Sequence, residues 1–258
     1  MTKPKLKKKN PWHDVLWFSL PLIILFGLYH SLVSPNPMSM REFFVKGVTH
    51  AGLILIALSL LLGNIAKFWN RYDKFLHYRK QLGITGFYYV LAHGQIATIL
   101  YLLPNPGLLR TEWPSFLTGL LSLYVLAVCM EISEIWAIRK LGSKRWRRTI
   151  RYLSYTAFVL ALVHIGWIRW EEWALYTQDM IPALGSGLLI LPQLSLVTFV
   201  FSIGVVFWRL GVALYDVVDD IQKHQLAQQE AQQTQEVQDT EQSKDSQGSA
   251  EKDPASKD

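Results

Sequence analysis

The sequence predicts an all-α integral membrane protein: six transmembrane helices, both termini cytoplasmic, and a largely disordered C-terminal tail. Three observations carry this. Half of the 258 residues are apolar, and they gather into six runs, each long enough to cross about 30 Å of hydrocarbon at about 1.5 Å per residue. The runs are continuous, without the alternation a membrane strand requires, and backbone facing lipid must pair within its own segment. The cations bracket the runs rather than forming one stripe, so the net charge of +6 points to a lipid surface and away from nucleic acid.

Taken in order, residues 1–14 form a basic N-terminus with Lys3, Lys5, Lys7, Lys8 and Lys9. The first run, about 15–33, is too long for a signal-peptide core, and 31–37 offers no small-x-small cleavage site, so it reads as an uncleaved span kinked by Pro21. A second run covers about 43–66. A basic, aromatic connector, 67–80, leads to the third, about 82–103, which Pro104-Asn-Pro-Gly closes as a turn. The fourth covers about 114–138. The most basic connector in the chain, 139–148, precedes the fifth, about 152–168. A Trp-rich loop over 167–173 leads past Pro182 to the sixth run, about 184–210. The membrane domain is thus 15–215. The tail, 216–258, is rich in Gln, Asp, Glu, Ser and Lys; it extends as a polar helix to about Val237 and is disordered beyond, where it buries too little apolar surface to offset its entropy.

With the N-terminus inside, 19 Lys and Arg up to Lys223 fall on inner segments and only Arg41, Lys46, Arg110 and Arg169 on outer ones, the asymmetry expected of cytoplasmic loops. Cys129 is the sole cysteine, so neither an internal disulfide nor a thiolate metal site is available. The tail has no glycine-rich nucleotide fingerprint and is too short for a flavin or nicotinamide domain.

Polar residues inside the runs are where function is expected. His93 lies about 18 Å and His164 about 21 Å from the inner ends of their helices. Two such histidines can ligate one haem iron from opposite faces of the macrocycle. Equally, they can hydrogen-bond across helices or line a polar cavity, and the residues alone leave these readings open. His50 lies near the depth of His164; it reads first as an interfacial histidine, with iron ligation the lesser alternative. His13, His30, His77 and His224 read as solvated or headgroup-facing. Glu131 and Glu134, three apart, share a helix face and are expected to pair with Arg139, Arg145 or Arg148; a proton- or quinone-linked carboxylate is the functional alternative.

Arg79-Lys-Gln-Leu-Gly-Ile-Thr-Gly-Phe-Tyr-Tyr-Val-Leu-Ala-His93, with Arg139-Lys-Leu-Gly-Ser-Lys-Arg-Trp146 followed by Tyr155 and His164, resembles the ferric reductase-like transmembrane domain family. Within it, the sequence resembles the haem-binding membrane subunits of bacterial periplasmic methionine sulfoxide reductase systems. The resemblance runs over about 48–210. It implies a b-type cytochrome of the bacterial inner membrane, with His93 and His164 as axial haem ligands. Electrons would pass from a cytoplasmic flavoprotein or quinol to an extracytoplasmic acceptor reductase, and a flavin or quinone is a further cofactor consistent with it. The chain would be an electron-transfer subunit, an oxidoreductase only with partners.

One departure stands out. The family places another histidine thirteen residues before the one at His164, where this chain has Arg151. A guanidinium has no lone pair for iron, so a second haem lacks that ligand unless His50 or His77 replaces it. Arg151 is instead suited to a haem propionate or a lipid phosphate. A haem-free membrane scaffold of the same fold is the alternative. A small-solute transporter is weaker, because no inverted repeat or broken helix pair is evident.

Overall fold

A computed structural model describes residues 11–33, 38–185 and 192–250, and their regular structure is entirely helical. In order, α1 is Pro11–Val33, α2 Met40–Phe68, a 3-10 helix Asn70–Tyr78, α3 Arg79–Ala97, a π-helical turn Thr98–Leu102, α4 Leu108–Thr111, α5 Trp113–Ile132, α6 Ile135–Leu141, α7 Ser143–Gly185 and α8 Leu194–Ala250. Five of these, α1, α2, α5, α7 and α8, are long and apolar enough to cross a membrane. Helix α3 is not among them. It opens on Arg79-Lys-Gln and carries Thr85, His93 and Gln95 within 19 residues. The π-turn then carries the helical path on for 5 more residues, to a total of about 35 Å.

The basic residues 1–10, the linker 34–37, residues 186–191 at the start of the sixth run and the last eight residues, 251–258, lie outside the described residues. Elsewhere the helices exceed the runs that predict them. The 67–80 connector winds into the 3-10 helix, and Tyr78 Oη donates to Asp14 Oδ2 at 2.8 Å, pinning it to α1. That bond holds the Tyr78 phenol above its usual pKa. The expected fourth run breaks in two: α5 ends at Ile132, and Glu134, in an extended conformation, caps α6. The basic connector is helical on both sides of Gly142, whose φ of 75° makes the turn into α7 and suits only a residue without Cβ. The Trp-rich loop expected at 167–173 is instead continuous α-helix within α7. Helix α8 continues into the tail as far as Ala250.

The chain divides into two compact units, Met1–Arg209 and Leu210–Asp258. Within the first, α2 packs between α1 and α3, and α5 packs along α7, with α3 also touching α5. Small residues make these approaches possible. On α2, Gly47 sits against the Ile23 carbonyl of α1 and Gly52 against Tyr89 and Val90 of α3; Gly86 of α3 returns the contact on Ile56. Hydroxyls and amides then bond across helices: Ser19 with Tyr89 (2.8 Å), Ser59 to the Arg79 carbonyl (2.8 Å), Asn64 to Tyr155 (2.9 Å) and Ser122 to the Ala157 carbonyl (2.8 Å). Leu53, Ile56, Leu60, Phe87, Leu126, Phe158, Leu162 and Val205 fill the space between.

A Cβ on Gly86 would lie 2.7 Å from Ile56 Cγ1 and 3.0 Å from the Gly52 carbonyl, whereas Gly204 has nothing within 4 Å. Gly86→Leu is therefore expected to destabilise the bundle by about 1–3 kcal/mol, read as a lower thermal unfolding midpoint in detergent, while Gly204→Leu leaves it within experimental error.

Candidate functional site

The site is built from three helices that each supply one histidine. His93 lies 14 residues beyond Arg79 on α3, about 21 Å, and His164 lies 13 residues beyond Arg151 on α7, about 20 Å. His50 is on α2. His50 follows Thr49 on α2, which bonds the His93 ring, and α3, which carries His93, touches α5, which bonds the His164 ring. Among the described residues, no three His, Cys, Asp or Glu side chains converge as a bare metal site.

The hydrogen bonds assign the protons on these rings. His164 Nδ1 is 2.7 Å from the Ser115 carbonyl oxygen, with Ser115 Oγ at 3.2 Å. A carbonyl only accepts, so Nδ1 carries the proton. His93 Nδ1 is 2.7 Å from Thr49 Oγ1, and that hydroxyl directs its single proton to the Val45 carbonyl, also at 2.7 Å. Thr49 therefore accepts from His93 Nδ1–H. In a neutral imidazole this leaves Nε2 as a bare lone pair on both rings. Neither ring makes a hydrogen bond through Nε2 among the described residues. A hydrogen bond at Nδ1 that fixes the tautomer and leaves Nε2 free is the arrangement of a metal-ligating histidine, so each of these two residues suits an iron ligand.

Each tether depends on the local sequence. Thr49 and His50 are consecutive on α2, about 100° apart around its axis. Thr49 reaches α3, while His50 Nδ1 lies 3.2 Å from Thr198 Oγ1 on α8, its ring edge-on to Phe26 at 6.4 Å. On α5, Ser115, Gly119 and Ser122 recur at helical spacing toward α7. Gly119 is essential to the fit, because a Cβ there would lie 2.8 Å from His164 Nδ1. Thr49, Ser115 and Gly119 escaped the sequence reading. The small-residue spacing on α5 was the available signal; nothing in the sequence pairs Thr49 with His93.

The remaining candidates lie elsewhere. His50 is half-buried and links α2 to α8. Glu131 and Glu134 make no ion pair among the described residues; they do not share a helix face, because Glu134 is the extended cap of α6. Arg151 is not with the histidines. It lines a cavity with Lys144, Arg147, Arg148, Tyr152 and Arg209. It lies about 20 Å along α7 from His164. Of the other histidines, His13 accepts from Trp17 Nε1 at 2.8 Å and His77 lies against Tyr78.

Residues 48–150 match the family model described as ferric reductase like transmembrane component. That stretch holds His50 and His93 and stops short of Arg151 and His164. The protein-methionine-sulfoxide reductase heme-binding subunit MsrQ of Agrobacterium fabrum is 30% identical over 143 residues, covering 52% of this chain and 63% of the relative. The subunit of the same name from Brucella anthropi is 34% identical over 93 residues, 35% of this chain and 41% of the relative. The chain thus spans less than two thirds of the length of either relative. The family resemblance seen in the sequence is supported, and with the apolar helices it identifies a multi-pass protein of the bacterial inner membrane.

Histidine-selective 15N NMR of the protein in detergent, prepared without added haem, is expected to show Nδ1 protonated and Nε2 bare for both His93 and His164 near neutral pH. Thr49→Val, which removes the acceptor, is expected to mix the two tautomers at His93 and leave His164 unchanged.

Proposed function

We propose that this protein is a membrane b-type cytochrome that carries electrons across the bilayer, with one haem held by Nε2 of His93 and Nε2 of His164. In this reading α3 with its π-turn is the sixth span, and both termini are cytoplasmic, as the cation asymmetry favours. A cytoplasmic flavoprotein or quinol supplies electrons. An extracytoplasmic reductase receives them, in keeping with the names of the two relatives, subunits of a methionine sulfoxide reductase.

The observation that carries the proposal is the matched pair of tethers. Two histidines on different helices are each fixed through Nδ1 by an acceptor on a neighbouring helix, α2 in one case and α5 in the other. When bound, the haem supplies reversible one-electron chemistry at its iron. The residues of this chain do the rest. Thr49 and the Ser115 carbonyl make the imidazoles better donors and stop them rotating. Gly119 gives the His164 ring its place. Leu53, Phe87, Leu126, Phe158 and Leu162 pack the core between the carrier helices and exclude water, which lowers the local dielectric and influences the potential. Arg151 cannot ligate iron, so a single haem is expected.

The rival reading, a haem-free scaffold of the same fold, draws on Arg151, where the family carries a ligand. One experiment separates the two. Protein expressed with ample haem supply and purified in detergent is expected to give the split reduced spectrum of a low-spin b cytochrome and a pyridine haemochromogen ratio of about one haem per chain. His93→Ala and His164→Ala are each expected to abolish the low-spin spectrum, and His50→Ala to leave it intact. Absence of haem would sink the cytochrome reading; a ratio near two would mean a second ligand pair exists.

A further inference from the structure

The cavity around Arg151 is a second site, independent of the histidines. Lys144, Arg147, Arg148 and Arg151 come from the first nine residues of α7, and Arg209 from α8; with Tyr152 they enclose about 230 Å³. The side chains follow helical geometry. Residues 144, 147, 148 and 151 recur at three- and four-residue spacing, so they share one face of α7. No acidic residue lines the cavity, and none of the five cations forms an ion pair among the described residues. A sixth cation, Arg79 of α3, feels the charges of both Arg151 and Arg209. Its guanidinium is packed over Gly63.

Like charges gathered around one concavity repel each other, and side chains this long would separate into solvent unless an anion repaid their approach. Here they are held. Gly142 turns the chain directly into α7, and Trp146 Nε1 donates to the Ile132 carbonyl at 2.8 Å, fixing the first turns of α7 against the end of α5. Arg209 lies over the ring of Tyr155, whose hydroxyl accepts from Asn64. The guanidiniums are forks matched to phosphate oxygens. The site's position is equally specific: just past Arg151, α7 becomes the apolar helix that leads to His164, so the cavity lies at the boundary between headgroup and hydrocarbon. Exposed Ile135 and Trp136 lie just before it in the chain, and exposed Tyr152 lies at its lip.

We propose that this cavity binds a phosphate group, with Arg148 and Arg151 as its principal ligands, and that the phosphate is the headgroup of an anionic phospholipid of the adjacent leaflet. An arginine at position 151 serves a lipid-anchored end of the bundle, not an iron.

The test uses full-length protein in detergent, with the thermal unfolding midpoint read while phosphatidylglycerol, phosphatidylcholine or inorganic phosphate is added in separate arms. Phosphatidylglycerol is expected to raise the midpoint with saturation, and phosphatidylcholine is not. In Arg148→Gln/Arg151→Gln the half-saturating phosphatidylglycerol concentration is expected to rise about twentyfold. In Arg139→Gln/Lys140→Gln, which removes two cations of α6 outside the cavity, it should stay within twofold. A saturable stabilisation by inorganic phosphate alone, lost in the Arg148/Arg151 variant, would establish the phosphate site and overturn its lipid source. Equal weakening in both double variants would mean diffuse surface charge and overturn the site altogether, as would the same response to phosphatidylcholine. Retention of the monodisperse elution profile and of the helical circular dichroism by both variants shows that they have folded.

Discussion

An imidazole inside a helix bundle has two nitrogens to satisfy, and leaving a buried polar group unpaired costs about 1–3 kcal/mol. The bundle meets half of that demand from its own residues. It gives His93 the Thr49 hydroxyl and His164 the Ser115 carbonyl, each from a helix other than the one that carries the histidine. In doing so it commits both rings to the same tautomer and leaves the same nitrogen bare on each. Much of the architecture around the rings serves this constraint. Helix α2 must lie close enough to α3 for a threonine to reach across, and α5 must lie close enough to α7 for a backbone carbonyl to do so.

Close approach is a matter of side-chain size. Helices in lipid gain little from burying apolar surface against one another, because the tails are equally apolar, so packing contact and interhelical hydrogen bonds set the geometry. Gly52 and Gly86 bring α2 onto α3, and Ser115, Gly119 and Ser122 bring α5 onto α7. The tethers that orient the histidines and the glycines that let the helices touch are therefore one design. Substituting Gly119 would displace a ring without touching a histidine. At the other end of the bundle the demand is inverted: cations are concentrated where no acidic partner lines the space, and the chemistry that completes that region lies outside the chain.

Much of the helical plan was legible in the sequence because bilayer thickness imposes run lengths that composition alone reveals. Five runs coincide with helices apolar enough to span. The third was less plain, because α3 carries polar residues that the interior of the bundle uses. Helix ends were the least legible part. Nothing in the apolar pattern marks the extended Glu134 that separates α5 from α6, or shows that the Trp-rich segment continues α7, because both are decided by caps and packing rather than by hydropathy. The histidines were legible as costly groups in apolar runs. Their protonation was not, since it depends on a threonine forty-four residues away and on a backbone carbonyl forty-nine residues away. Arg151 was legible as a departure from a family pattern, and only its three-dimensional neighbours reveal the company it keeps.

The central claim is that the two bare Nε2 atoms share one iron. Low-temperature electron paramagnetic resonance of the oxidised, purified protein tests it most directly, because the signal reports the axial ligands themselves. The expected result is a low-spin ferric spectrum of the two-imidazole type, integrating to about one spin per chain. A high-spin ferric signal, which requires an open or weak axial position, would contradict the account, as would an integral near two spins or the absence of any ferric haem signal.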